Sequence, residues 1–362
     1  MSQVKKFELV KFEKEKKYVN DFISLPKRLY SSRDNMEDPE QMRKILLGEH
    51  PLSKDFRLAK FLVYEKSLGK VVGRFAITTY DNDDNAYIGF FECVDDDQVA
   101  AFLFKKADDF CKELGYHKIV GPVDASFWIK YRLKVNRFEG RPYTGEPYNK
   151  DYYLKLFTDN GYQVAERYIS SDYEVIKKDY VSPKLKKRYD EFMAKGYEII
   201  SPTKDTYDEI IGDVYRLITE LYSSFPVYKH IDEDVFREMF NSYKSIMYMD
   251  VTKIVYYKGK AVAFYVNIPD YGNTVYHLNL PNILKLLRNR KKPKRIILLY
   301  MGVEKEHLGL GAALIYAIQE ELKKLKTPSI GALCRQGKIT QFYESNLMTD
   351  TYEYVLLSKD NV

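Results

Sequence analysis

One stretch constrains this chain more than any other. Ile296 to Val303 is a continuous apolar run, and a short charged turn, Glu304 to His307, follows it. Gly309 and Gly311 come next, and beyond them Leu314, Ile315, Ile318 and Leu322 recur at helical spacing. The run has the length of a strand buried on both faces. The later spacing is that of a helix with one buried face. The order strand, glycine turn, helix predicts an α/β fold.

The junction has a chemical use. The first turn of a helix leaves amide N–H groups without partners and carries the positive end of the helix dipole, so it attracts anions. Glycines at 309 and 311 remove the side chains that would keep a phosphate from those donors. No Gly-Lys-Ser/Thr ending follows, so nothing is placed to hold a β/γ-phosphate with magnesium. A third glycine is also missing, which argues against a dinucleotide fingerprint. Two readings of the residues stay open: a diphosphate held mainly by backbone, or a tight strand–helix connection with no ligand.

With these residues in view, the stretch resembles the acyl-CoA-binding segment of the GNAT superfamily of N-acyltransferases. That family's Gln/Arg-x-x-Gly-x-Gly/Ala pattern falls on Glu306, Gly309 and Gly311. Glu306 departs from it, and a carboxylate beside a pyrophosphate is unfavourable. Glu306 is therefore expected to face solvent or to weaken the site. The resemblance continues downstream, with a strand over Ser329 to Cys334 and a helix over Gly337 to Leu347 that carries Gln341-Phe342-Tyr343-Glu344. It implies that Met301, Gly302 and Val303 pair with the pantetheine arm. It implies further that backbone amides of His307, Leu308, Gly309, Leu310, Gly311 and Ala312 hold the diphosphate. Gln336 stands where the family has an asparagine on the pantetheine, and Leu347 replaces a family glycine. Tyr343 stands where a family tyrosine protonates the leaving thiolate; read as a residue alone, it is equally a core aromatic. Glu304 or a water relay is the candidate base.

The length of 362 residues suits two domains of about 180 each, divided here as 1–180 and 181–362. The first half runs through the same order less completely. Lys6 to Phe12 reads as a strand, Lys16 to Tyr30 as helical, and Phe61 to Tyr64 with Val71 to Tyr80 as a hairpin. Tyr87 to Cys93 is a strand, Gln98 to Leu114 a helix, and Lys118 to Gly121 a strand. Between strand and helix stand Asp95, Asp96 and Asp97, which oppose a diphosphate. Phe157 occupies the position of the acid hydroxyl. This half therefore reads as a GNAT-like domain without a recognisable CoA loop. The loop from Gly121 to Asn149 exceeds the usual connection of about 4–6 residues. It offers Asp124, Ser126, Trp128 and Arg132 as an acceptor site, or merely packs its aromatics where the domains meet.

In the second half, helices are expected over Lys184 to Lys195, Thr206 to Tyr222 and Glu233 to Tyr248, the last with Asp232 as N-cap. Strands are expected over Tyr197 to Ser201, Lys253 to Tyr257 and Ala261 to Ile268. Leu284 to Arg295 is a basic insertion suited to RNA, a CoA phosphate, an acidic partner or plain solvent. Tyr352 to Ser358 closes as a final strand.

Bulk properties exclude little. A net charge of +6 permits an anionic ligand without demanding one. The N-terminus lacks the apolar core of a signal peptide, and no run suits a membrane span. The three cysteines lack paired spacing and read as buried thiols of a reducing compartment, which points to the cytoplasm. No histidine pair has the i, i+4 spacing of a helical metal site, so no metal is expected. There is no Gly-x-Ser-x-Gly elbow.

The expectation is thus an α/β (α+β) chain of two tandem GNAT-like domains, each a mixed, mostly antiparallel sheet flanked by helices. The resemblance implies transfer of an acyl group from acetyl-CoA to a small-molecule or peptide amine, in the C-terminal domain. It carries no expectation of nucleic acid or membrane, and leaves monomer and homodimer open. Two other readings remain: a tRNA-dependent aminoacyltransferase of the peptidoglycan-bridge type, and a non-catalytic acyl-CoA-binding protein.

Overall fold

Hydrophobic periodicity translates directly into elements in the computed structural model, which describes residues 6–337 and 345–361. The first half contains β1 (Phe7–Phe12), α1 (Lys16–Ser24), α2 (Pro26–Leu29), α3 (Pro39–Leu47), β2 (Arg57–Glu65), β3 (Lys70–Thr79), β4 (Asn85–Cys93), α4 (Asp97–Glu113) and β5 (Lys118–Gly121). The long loop holds three short strands, β6 (Val123–Asp124), β7 (Lys130–Tyr131) and β8 (Leu133–Lys134), before α5 (Tyr153–Asp159) and β9 (Gln163–Tyr173). The second half contains α6 (Pro183–Ala194), β10 (Tyr197–Ile200), α7 (Tyr207–Tyr222), α8 (Glu233–Phe240), α9 (Tyr243–Ile246), β11 (Lys253–Tyr257), β12 (Lys260–Pro269), α10 (Leu280–Lys291), β13 (Ile296–Val303), α11 (Leu310–Leu325), β14 (Ser329–Arg335) and β15 (Met348–Asp360).

One expected helix is broken. Glu233 to Tyr248 is α8 and the one-turn α9, separated at Asn241-Ser242, residue types that compete with helical backbone bonds. Asp232 holds the N-cap position, but its side chain accepts from no helix amide. Within the first 50 residues, by contrast, Asp38 caps α3 by accepting from the amides of Glu40 and Gln41. That helix stops at Gly48, in the left-handed region at φ 76°, a conformation cheap only for glycine.

The chain forms two compact units, Met1–Arg167 with Glu353–Val362, and Tyr168–Tyr352. In the first unit β1, β2, β3 and β4 are antiparallel neighbours, and β5 lies parallel to β4. The far side of β5 is covered by the end of β15, with Leu357 opposite Gly121 and Asp360 opposite Lys118. In the second unit β10, β11, β12 and β13 are antiparallel neighbours, and β14 lies parallel to β13. The far side of β14 is covered by the end of β9, Tyr173 opposite Ser329. Each sheet is therefore completed by a segment from the other half of the sequence. The expected fold class, mixed and mostly antiparallel sheet flanked by helices, is what these registers describe.

The first unit's core joins Phe75, Ile88, Leu103, Phe104, Phe157 and Leu357, all buried. In the second unit α11 lays Leu310, Ala313 and Leu314 on Val255, Val262 and Ala263 of the sheet, with Phe192 of α6 in the same cluster.

Candidate functional site

In the second unit, β13 and β14 run parallel only from Ile296 opposite Ser329 to Leu298 opposite Gly331. Beyond that point β13 continues to Val303 without this partner. Opposite β12 the register steps from Val266–Tyr300 to Asn267–Leu298, so Leu299 is an extra residue, a β-bulge that re-aims the strand. The result is an open strand edge ending at the glycine turn. Met301 lies on this edge, half-buried, and its carbonyl accepts from the Tyr222 hydroxyl at 3.1 Å. Gly302 serves packing: a Cβ there would lie 2.5 Å from the Phe264 ring and 2.7 Å from Leu221. Val303 packs in the cluster under α11.

The turn itself corrects part of the expected cradle. The His307 amide donates to the Glu304 carbonyl at 3.0 Å, and the Ala312 amide donates to the Gly309 carbonyl at 3.1 Å. Both residues were expected to offer amides to a diphosphate, and a short helical turn consumes them. Among the described residues, the amides of Leu308, Gly309, Leu310 and Gly311 have no partner. Gly309 caps α11 at φ 95°, with no side-chain cap on the helix. Leu310 and Ala312 are buried anchors, whereas Leu308 is 84% exposed. Glu306 is exposed, and Gln336 is exposed in the turn after β14. Tyr343 lies outside the described residues.

The side chains around the turn were not foreseen. A Cβ on Gly309 would lie 3.8 Å from Phe192 and 4.0 Å from the guanidinium carbon of Arg188. α6 thus places a cation over the glycine. Arg188 also pairs with Glu191 at 3.0 Å and is about half exposed. The His307 ring is fixed by the Tyr197 hydroxyl, 2.7 Å from its Nδ1. Glu304, the candidate base, is buried and accepts from Arg216 at 2.8 Å and Lys260 at 2.9 Å. Burial alone would raise its pKa, but the Lys260 ammonium and Arg216 guanidinium together hold the carboxyl below its usual value. A carboxylate held by two cations is a weaker base, and we assign it no proton transfer.

On the opposite sheet face, α7, α8 and the sheet line a small apolar cavity of about 40 Å³, with Ile210, Val214, Phe236, Phe264, Val266 and Tyr300 in its wall. Tyr300 neighbours Met301 on β13, so the cavity begins beside the open edge.

The first unit repeats the framework with the openings filled. β4 is also bulged, between Glu92–Arg74 and Gly89–Ala76. The Phe90 amide that the bulge turns outward donates to Asp124 Oδ1. A Cβ on Gly89 would lie 1.8 Å from the Val123 carbonyl oxygen, so the chain itself fills the place where β4 and β5 part, the counterpart of the opening between β13 and β14. The Tyr153 hydroxyl accepts from the Cys93 amide at 3.0 Å and donates to Glu92 at 2.6 Å. At the start of α4, Asp96 accepts from the amides of Gln98 and Val99 at 2.9 and 3.3 Å. A side-chain carboxylate holds the donors a diphosphate would need.

The four residues expected to form an acceptor site are only partly united. Asp124 and Arg132 line a small cleft of about 20 Å³, with Glu92, Lys130 and Asn149. Asp124 pairs with Lys130 at 2.8 Å, and the Arg132 guanidinium stacks 3.8 Å above the Tyr131 ring. Ser126 is buried and turned to its own loop, its hydroxyl accepting from the Trp128 amide at 3.3 Å. Trp128 packs edge-on to Phe127. Neither lines the cleft. The loop's far end is tied down by the buried Lys134–Glu146 pair at 2.6 Å, with the Tyr354 hydroxyl donating to Glu146 at 2.7 Å.

A bulged fourth strand, a parallel fifth strand and a helix launched between them occur in both units, and the chain is a tandem GNAT-fold protein. It aligns over 99% of its length with 99% of a tandem GNAT protein from the clavulanic acid biosynthesis pathway, TM-score 0.54 at 11% identity. It also aligns over 99% of its length with 38% of a fungal multi-domain GH3 β-N-acetylglucosaminidase that contains a GCN5-related glucosamine N-acetyltransferase region, TM-score 0.55 at 15% identity. In sequence it is 25% identical over 269 residues to Protein YghO of Escherichia coli K12, covering 71% of this chain and 67% of that protein. No protein-family model matches the chain. Among the described residues no group of three or more His, Cys, Asp or Glu side chains is arranged to hold a metal, and no helix is long and apolar enough to cross a membrane.

Proposed function

We propose that this chain is an acyl-CoA-dependent N-acyltransferase whose chemistry resides in the second unit, with acetyl-CoA the donor implied by the resemblance. The observation that carries the reading is the run of four unpartnered amides, Leu308 to Gly311, beneath Arg188 and at the end of a bulged open strand. Those amides, the helix dipole and the guanidinium favour a diphosphate together. The edge at Met301 to Val303 accepts the pantetheine arm by backbone pairing; the Met301 carbonyl has a second lone pair beyond the one Tyr222 uses. The apolar cavity beside Tyr300 receives the non-polar part of the substrate.

In the reaction, the neutral amine nitrogen of a small-molecule or peptide acceptor attacks the thioester carbonyl carbon. A C–N bond forms, the C–S bond breaks, and the amine proton leaves to water. Tyr343 is proposed to return a proton to the departing thiolate. Gln336 is proposed to bond the pantetheine from the turn after β14. Asp124 and Arg132 of the first unit are proposed as acceptor-binding residues. The buried free thiols of Cys93 and Cys111 support a cytoplasmic setting.

Calorimetry with acetyl-CoA tests the reading. One site per chain is expected, and Arg188→Glu or Gly309→Val should weaken binding roughly tenfold or more, the scale of a lost charge-assisted contact. Thiol release over a panel of amines should then be slower in Tyr343→Phe. Absence of acetyl-CoA uptake by folded protein would remove the proposal.

A further inference from the structure

The basic insertion resolves into α10, and the function proposed above makes no use of it. Leu280, Ile283, Leu284 and Leu287 follow one another at i, i+3, i+4 and i+7, the spacing of one helix face. They are 73%, 42%, 60% and 45% exposed, and Leu278 just before the helix is 67% exposed. No residue of α10 is buried. Polar contacts hold the helix: from the side opposite the stripe, Asn289 donates to the Asp270 carbonyl and Asn282 to the His277 carbonyl at 2.7 Å, and from its edge Arg290 donates to the Ser245 carbonyl at 2.8 Å. Arg295 fixes the following turn by pairing with Asp270 at 2.7 Å and Asp172 at 3.1 Å. The leucines thus contribute little to the fold that presents them.

Cations accompany the stripe. Lys285, Arg288, Lys291, Lys292 and Lys294 are exposed, and no acidic residue occurs from Leu278 to Arg295. At 3.6 residues per turn, Arg288 borders the apolar stripe and Lys291 falls within it, while Lys285 lies round towards the polar side. RNA phosphates would meet the cations but leave four large aliphatic side chains in water. An anionic bilayer answers both, with phosphates at the cations and the headgroup–acyl boundary for the leucines. We propose that α10 is an interfacial anchor, which seats the second unit on an anionic phospholipid surface with the helix axis in the membrane plane.

The test is flotation of the full-length chain with phosphatidylcholine vesicles, with and without roughly a third phosphatidylglycerol. Binding is expected to the anionic vesicles and to fall at least tenfold without the anionic lipid. Leu284→Asp with Leu287→Asp should lower the partition coefficient roughly tenfold or more. Arg288→Glu with Lys291→Glu should lower it by roughly fivefold per charge. All four positions are exposed, and an unchanged melting curve identifies a folded variant. Four results would overturn the proposal. One is no flotation with anionic vesicles. Another is flotation indifferent to the leucine substitutions, which marks plain electrostatic adsorption, or RNA retention that depends on the cations while vesicles are ignored. The last is a lipid-free dimer that Leu284→Asp dissociates, which assigns the stripe to a second copy of the chain.

Discussion

Glu304 shows how far a single side chain can depart from the role its position in the sequence suggests. Read in order, it is the first carboxylate after the apolar run and close to where an amine would lose its proton. In the fold it is the shared acceptor of Arg216 and Lys260. Its folded pKa lies below the unfolded value of about 4.3. The stabilisation is therefore complete above that pH and is lost as pH falls through the folded value. Glu304→Gln is expected to cost roughly 1–2 kcal/mol at neutral pH, the low end for charged hydrogen bonds because both cations are partly exposed. It should also flatten the acid limb of melting temperature against pH, and an unaltered acid limb would refute the ion-pair role. Nothing near Glu304 in the sequence announces Arg216, which comes from α7, just as nothing near Gly309 announces Arg188. Gly309 was legible, because a positive φ at a helix start is a local demand. The cation above it depends on how α6 packs.

At the scale of elements, β4 and β13 are the same device in opposite states. Both bulge, and both have a parallel neighbour across a helical crossover. In the first unit, Asp124 takes the amide that the bulge exposes and Asp96 takes the amides of the helix start. The three consecutive carboxylates of that turn were legible as hostile to phosphate. That Asp96 caps the helix was not, since repulsion and capping predict the same residue type. Asp124→Ala should leave the Phe90 amide buried without an acceptor and Lys130 without its partner. The expected cost is roughly 1–3 kcal/mol, read as a lower melting temperature. Calorimetric stoichiometry should stay at one CoA per chain, because Val123 still abuts Gly89; a second site would show that Asp124 alone closes the slot. The expected Asp124, Ser126, Trp128 and Arg132 constellation was half legible. A sequence shows that a loop is aromatic and charged, but not that Ser126 turns inward while Arg132 reaches the cleft.

For the molecule as a whole, the order of elements was read correctly along most of the chain, because each strand and helix carries its own periodicity. The partners of the last strands carry no such mark. Val355 and Leu357 are as apolar as any strand residues, and only the register of Leu357 opposite Gly121 assigns them to the first unit. Deleting residues 353–362 removes four buried side chains, Tyr354, Val355, Leu356 and Leu357, at a cost of roughly 2–5 kcal/mol for each large aliphatic lost. Hydrogen exchange should quicken first in β5 and α4 and only later in β13 and α11; simultaneous loss in both would contradict the assignment. The exchange of closing segments also sets a timetable for synthesis. A nascent chain that has cleared the ribosome as far as Arg167 holds nearly all of one sheet and still shows the bare edge of Ile119 and Val120. Nothing covers that edge until the final strand is translated. Through the making of the entire second unit the growing polypeptide presents an unpaired apolar strand, a standing invitation to chaperones and to mispairing.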